Sequence, residues 1–335
     1  MTSGLSLGKV PPQVLERLLA SAPMGEDVLV GPGVGLDAAV VAVGGVERLV
    51  VASDPITFAA DEIGWYAVHV NANDVACMGG VPRWFFAVVL LAPGMTEADA
   101  ERIFEQIGAG CREVGAVLAG GHTEVTPGLA QPIVVGTMLG TAVEPVSAAG
   151  GRPGDVLLLT KGIAIEATAI LARERADVLR PRVSAAVLER ARAFLREPGL
   201  SVVADARTAL AAGGVHALHD PTEGGLIEGI RELCTASGVG AYVCEAAIPV
   251  FEETRLLAEP FGIDPLGVIA SGALLIAVDP GHVDAVRSAL AARSIACAEI
   301  GRLLPAGESA VLERADGSVV PLPRFNGDEI GKIFA

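Results

Sequence analysis

The chain has 335 residues, 51% of them hydrophobic and only 4% aromatic, with 24 basic against 40 acidic side chains and a formal charge of −16. That length is long for one hydrophobic core, so two domains built on small apolar side chains are expected, and disorder is excluded. So acidic a surface repels phosphate backbones, which argues against nucleic acid as the main ligand.

In chain order, "PPQVLERLLASA" (11–22) opens with prolines and spaces its leucines for a short amphipathic helix. "GPGVGLDAAVV" (31–41) follows: three alternating glycines, Asp37 and an apolar run. It reads equally as a glycine turn into a buried strand or as a cradle for phosphate or metal. Strands are predicted at 38–43 and 47–54, with Gly44-Gly45 as the turn. A helix is predicted over 63–79, stopped by Gly79-Gly80, then a strand in "PRWFFAVVLLAP". Thr96 caps a helix through 115, and "AVLAG" and "PIVVGTMLG" read as strands around the loop "GGHTEVTPGLAQ". Gly, Pro and polar residues concentrate in "EPVSAAGGRPGD" (144–155), which places the boundary between domains 1–148 and 149–335.

Beyond it the pattern restarts with a strand at 155–160, a helix at 165–174 and two more helices to about 212. "VHALHDPTEGGLIEGIRELCTASG" reads as strand, tight turn and helix, and a final strand pair lies near 297–321. The tail "RFNGDEIGKIFA" is expected at the surface, packed or frayed. The alternation implies an α/β fold with two layers, each a sheet covered by helices. The longest apolar run (84–95) is too short to span a bilayer, and the first residues lack the pattern of a secretory signal. None of the five cysteines (Cys77, Cys111, Cys234, Cys244, Cys297) forms C-x-x-C, so buried free thiols in a reducing cytoplasm are expected.

Four carboxylates sit at turn or helix edges beside small residues: Asp37, Asp54, Asp74 and Asp220. Short oxygen ligands suit a hard cation such as magnesium bridging to phosphate, although each also reads as an ordinary hydrogen-bonded aspartate. Asn71 and Asp74 are three apart and share one helix face. Gly120, Gly121, Thr123 and Glu124 offer an anion nest, and "HDPTEGG" (219–225) a helix N-terminus at Thr222, which an ordinary N-cap explains as well. His219, beside Asp220, is the best acid/base candidate, although a lone histidine next to a turn is usually structural. H-x-x-x-H, G-x-S-x-G and the Walker pattern G-x-x-x-x-G-K-[ST] are absent, which argues against zinc, a hydrolase elbow and a P-loop.

Taken together, "GLDAAVV", "ASDP", "NANDVACMGGVPRW", "GGHTEV", "GDVLLLTKGI" and "HDPTEGG" occur in the order seen in the aminoimidazole ribonucleotide (AIR) synthetase superfamily. The chain resembles its HypE-like, "AIR synthase related" members over nearly its whole length. The resemblance implies a PurM-like two-domain fold whose N-terminal sheets pair into a barrel in a homodimer. It also implies ATP with magnesium and phosphoryl transfer to a small-molecule substrate. Carried over by position, Asp37, Asp54, Asp74 and Asp220 become metal–phosphate residues, and Gly120, Gly121, Thr123, Lys161 and Thr222 become nucleotide residues. The departures are Leu36 where many relatives have a first aspartate, His122 in the nucleotide loop, and Glu223 where HypE has arginine. The proline-arginine-x-cysteine tail of HypE is also not found, the last cysteine being Cys297. Two readings stay open: an ATP-dependent enzyme, or a degenerate dimer that binds a nucleotide or partner without catalysis.

Overall fold

A computed structural model describes residues 28–30, 36, 38–42, 45 and 48–333. The helix expected at 11–22, the glycines of 31–35 and Asp37 lie outside the described residues. The chain divides into two compact units, one ending at Pro145 and the other taking up the chain at Val146.

The first unit is a mixed sheet of β1 (Val28–Val30), β2 (Ala39–Ala42), β3 (Arg48–Ala52), β4 (Pro55–Ile56), β5 (Val81–Leu91), β6 (Val117–Val125) and β7 (Ile133–Ala142). The strand order is β1-β2-β3-β7-β5-β6, with β4 also on β7. β5 and β6 run parallel because α2 (Glu97–Val114) carries the chain back between them. Thr96 caps α2 in a full capping box with Asp99, and Gly115 ends it in a left-handed turn, as the sequence pattern predicts.

Helix α1 (Ile63–Cys77) is buried on every side, all 15 residues of it. The cause is layering. β7 and β5 lie on one flank, and on the other a Cβ at Gly64 would meet Ile103 O at 2.3 Å, so α2 lies directly against it. A helix enclosed this way needs no apolar stripe, and it carries Asn71, Asn73 and Asp74 into the interior.

The expected layer of sheet and helices is present, and among the described residues the helices cover one face of the first unit's sheet. Phe85, Ala87 and Val89 of β5 point into the core, while Trp84, Phe86 and Val88 between them remain 39%, 38% and 36% exposed. Alternation of side chains along the strand puts these three on one bare apolar face.

The second unit is a mostly antiparallel sheet of β8 (Val156–Thr160), β9 (Val215–His219), β10 (Gly240–Cys244), β11 (Leu275–Val278), β12 (Cys297–Leu304), β13 (Val311–Glu313) and β14 (Val319–Pro321). The order is β14-β13-β10-β12-β8-β11-β9. The stretch 297–321 therefore holds three strands, β12 to β14, rather than the expected pair. Its helices are α3 (Ile165–Glu174), α4 (Ala176–Leu179), α5 (Ala185–Ala193), α6 (Val203–Ala212), α7 (Gly225–Ser237), α8 (Glu252–Ala258) and α9 (Val283–Ala291). Leu157, Leu159, Ala217, Ala241, Val243, Leu275 and Ile300 pack with Ile227, Ile230 and Leu233 of α7 into one core. Among the described residues, no helix is long and apolar enough to cross a membrane.

Candidate functional site

In the first unit, the chain leaves β3 at Asp54, whose backbone is held on both sides by one buried amide. The Asp54 N–H donates to Asn71 Oδ1 at 2.8 Å, and Asn71 Nδ2 donates back to Asp54 O at 3.2 Å. Asn71 Nδ2 also reaches Ala67 O within α1, and Gly136 N–H donates to Asp54 O at 2.9 Å. A buried amide with both ends satisfied fixes backbone position firmly. The strand end carrying the Asp54 carboxylate is thus pinned to the helix carrying Asp74, which is only 5% exposed. The shared face expected of Asn71 and Asp74 therefore gains a purpose: one residue sets the strand end, the other points a carboxylate from the same helix.

Gly120, Gly121 and Thr123 lie in a strand and not in a loop, because β6 continues through Val125. Gly121 has φ +148°, and a Cβ there would sit 1.9 Å from Ala87 O. Only glycine tolerates so close an approach of β6 to β5, which follows a register shift at Phe85/Phe86. All nine residues of β6 are exposed. Here His122 Nε2 meets Glu124 Oε2 at 3.1 Å, and Thr126 Oγ1 donates to Glu124 Oε1 at 2.9 Å. These bonds hold the Glu124 carboxyl below its usual range, His122 contributing most.

In the second unit, the Lys161 side chain is only 8% exposed. Its ammonium donates to Gly199 O at 3.1 Å and Ser201 O at 2.8 Å, with Asp205 Oδ1 at 3.6 Å. Burial draws its pKa down, against the pull of Asp205. Its three donors are therefore directed at groups of its own unit. His219 is also enclosed, 2.9 Å from Glu232 Oε2 on α7.

Asp220 and Thr222 stand in the turn that starts α7. Gly224 and Gly225 both take left-handed φ, +84° and +67°, and a Cβ on Gly225 would lie 2.7 Å from Leu266 O and 2.8 Å from Val268 N. Thr222 O accepts from Gly225 N and Ala270 N. The tail closes on this turn and does not fray: Asp328 accepts from Gly224 N at 2.6 Å, Ile330 N at 2.7 Å and Ile269 N at 3.2 Å. Burial pushes the Asp328 carboxyl up, and the three N–H bonds oppose that.

Beside the turn is a residue that sequence reasoning passed over. Glu166, in the first turn of α3, is 3% exposed, and its carboxyl is pushed up to about 8, first by burial and, against a hydrogen bond from Ser271, by the charges of Asp328, Glu223 and Asp220. An acid in a helix's first turn ordinarily complements the helix dipole, so nothing local distinguishes it. Ser271 and Asp328 lie in irregular segments whose local pattern carries no such signal either. Among the described residues, no three acidic, histidine or cysteine side chains form a group able to hold a metal ion. A cleft of about 300 Å³ lined by Val156, Tyr242, Cys244, Glu299 and Arg302 contains none of the residues named above.

Two sheet-and-helix units, with carboxylates at a strand end and in a glycine turn, define the class of a PurM-like two-domain protein of the AIR synthase superfamily. Residues 35–142 match the model for the AIR synthase related protein, N-terminal domain, and residues 152–313 match the C-terminal domain. The chain is 30% identical to carbamoyl dehydratase HypE of Cupriavidus necator over 97% of its own length and 92% of that protein. It is similar to a crystal structure of hydrogenase maturation protein HypE in complex with ATP: TM-score 0.71, 25% identity, 93% of this chain and 90% of that one. Thiamine monophosphate kinase from Aquifex aeolicus shares the fold, with TM-score 0.67 at 16% identity over 92% and 96% of the two chains. The chain belongs to the AIR synthase related protein family, and within it is HypE-like.

Proposed function

We propose that this protein binds ATP with magnesium and transfers phosphate to, or otherwise activates, a small-molecule substrate in the cytoplasm. The observation that carries this reading is similarity along both halves at once to carbamoyl dehydratase HypE, joined by likeness to a HypE structure holding ATP. Phosphoryl transfer depends on positioning and charge neutralisation, and a strand end pinned by Asn71 serves positioning. Magnesium typically binds through one or two carboxylates plus the phosphates it accompanies, so a metal–nucleotide complex needs no three-residue protein cage. Asp54 and Asp74 in the first unit, Asp37, and Asp220 in the second are the carboxylates assigned to it. Gly120, Gly121, Thr123 and Thr222 are assigned to the nucleotide. Lys161 belongs to that set by resemblance, with its ammonium bonded inside its unit. The acceptor is a separate small molecule: of the five thiols, three are buried and two are half-buried, and burial pushes Cys297 up to about 11.

Titration calorimetry with ATP and magnesium tests the reading. Binding by the wild-type protein, weakened at least tenfold in Asp74→Asn, is the expected result. No heat at millimolar nucleotide would overturn it. A non-catalytic binder is the second reading, favoured by Glu223, whose negative charge joins that of Asp220 and Asp328 around Glu166 and opposes a phosphate there. Steady ADP release dependent on an acceptor removes that reading.

Homodimerisation is part of the same proposal. Trp84, Phe86 and Val88 on the bare face, and β6 exposed along its whole length at the sheet edge, are features that association covers. In light scattering, Phe86→Glu is expected to halve the mass of the wild-type particle. A wild-type monomer at micromolar concentration would refute this part alone.

A further inference from the structure

Strand β12 carries two charged side chains that a regular strand would send to opposite faces. Residues three apart on a strand point opposite ways. Yet Ile300 and Leu303 both lie in the core of the second unit, 0% and 1% exposed, while Glu299 and Arg302 are both exposed. The cause is a β-bulge: the register of β12 against β8 shifts between Glu299 and Gly301. Gly301 allows β10 to stay close there, since a Cβ on it would lie 2.1 Å from Tyr242 O. Glu299 and Arg302 therefore share one face of the sheet. They line the cleft of about 300 Å³ together with Tyr242 and Cys244 of β10 and Val156 of β8.

Neither charge is neutralised within the unit. Among the described residues, the Glu299 carboxylate and the Arg302 guanidinium form no ion pair or side-chain hydrogen bond, with each other or with a third group. Neighbouring charges are engaged: Glu313 accepts from the Tyr242 hydroxyl, and Arg314 pairs with Glu245 at 3.3 Å. Arg302 is held instead by an aromatic face, its guanidinium carbon 4.8 Å from the centre of the Tyr242 ring. Stacking orders the planar fork and leaves its N–H groups to donate elsewhere. The cleft thus offers a fork that matches a carboxylate, an acid that accepts from an ammonium, and an apolar wall of Val156 and Cys244. A ligand of one sign leaves one of the two charges unanswered. Its volume of about 300 Å³ is at the small end of ligand clefts, which reach about 1,000 Å³.

We propose that this cleft binds a small zwitterion with the chemistry of a free α-amino acid, its carboxylate on Arg302, its ammonium on Glu299 and its side chain against Val156 and Cys244. The bulge supplies the acid and the base on one face, and the Tyr242 ring orders the base. None of these residues belongs to the carboxylate and glycine set assigned to the nucleotide, so the site does not rest on the phosphoryl-transfer reading.

The test uses the full chain without nucleotide, so its failure is separate from failure to bind ATP. L-alanine is titrated at constant ionic strength beside two molecules that each keep one of its ends, propionate and ethylammonium. Amide NMR shifts locate the binding, and the titration curves give the affinities. L-alanine is expected to shift the Gly301 and Cys244 amides and to bind at least tenfold more tightly than either single-ended molecule. Arg302→Gln is expected to lower its affinity to that of ethylammonium, and Glu299→Gln to that of propionate. Both side chains are exposed, so both variants should keep the wild-type melting temperature. The comparison of the three molecules on the wild-type chain decides the question even if a variant folds poorly. Equal affinity for all three, shifts confined to other amides, no shift at tens of millimolar L-alanine, or unchanged affinity in both folded variants would overturn the proposal.

Discussion

Two of the glycine pairs of this chain look alike in sequence and differ in almost every physical respect. Gly120-Gly121 lies on an exposed edge strand, and Gly224-Gly225 lies in a turn enclosed by the 266–270 segment and the tail. Both pairs read as phosphate cradles, yet each glycine requirement is imposed by a neighbouring backbone: Ala87 O for Gly121, Leu266 O and Val268 N for Gly225. The electrostatic settings also diverge. Beside the first pair an exposed histidine and glutamate satisfy one another, while beside the second a buried acid is crowded by three more. A glycine motif therefore reports close approach of backbones, and the field around it decides which ligand is welcome.

Substitution of the glycines is the strongest way to break this comparison. Gly225→Ala forces a Cβ into backbone on a φ of +67°, in a segment tied to the core of its unit. It is expected to cost about 3–4 kcal/mol in urea denaturation. Gly121→Ala makes the tighter contact, but β6 is an edge strand that can peel from β5, and a loss of about 1–2 kcal/mol is expected. Equal losses would mean that the edge is not separable from its sheet.

The next effect is pH-dependent. Glu166 titrates near 4.5 when unfolded and at about 8 when folded, so between those values the folded chain holds a proton that the unfolded chain has released. Its contribution to stability is present at acid pH and is lost as pH rises toward 8, with a limiting slope of about 1.4 kcal/mol per pH unit. Glu166→Gln is expected to flatten this slope, so that the variant gains on the wild type between pH 5 and 8 in parallel denaturation curves. Identical curves would show that the acid group is not coupled to folding.

The smallest effect belongs to the exposed strand. His122→Ala is expected to leave the melting temperature unchanged, because surface pairs contribute little. It should raise the titration midpoint of Glu124, whose lowered pKa owes most to His122, as followed by carboxyl NMR shifts. A measurable destabilisation would mean that β6 is buried in solution, which supports the dimer.

Much of the architecture was legible. The apolar run ended by Gly79-Gly80 announced α1, Thr96 with Asp99 announced α2, and "IEATAILARE" matched α3 residue for residue. The six ordered motifs gave the family. For the candidate site the sequence offers Asp54, Asp74, Asp220 and Thr222 as expectations, and Asn71 stands out for its spacing to Asp74. Its clamp on Asp54 was not visible, because a three-residue spacing shows a shared helix face and says nothing of what crosses from β3.

By itself, the sequence determined where helices and strands form, which residues cap them and which family the chain belongs to. These rest on interactions between residues a few positions apart, and periodicity and capping record those directly. Only the tertiary structure decided that β6 passes through Gly120-Gly121 as an open edge, that one sheet face of the first unit stays bare, and that Glu166 faces Asp328, Glu223 and Asp220. Burial and electric field are set by whichever distant segments the topology brings together. In the local pattern Glu166 is one more acid in the first turn of a helix; enclosed beside the tail, it becomes a buried carboxyl pushed up to about 8.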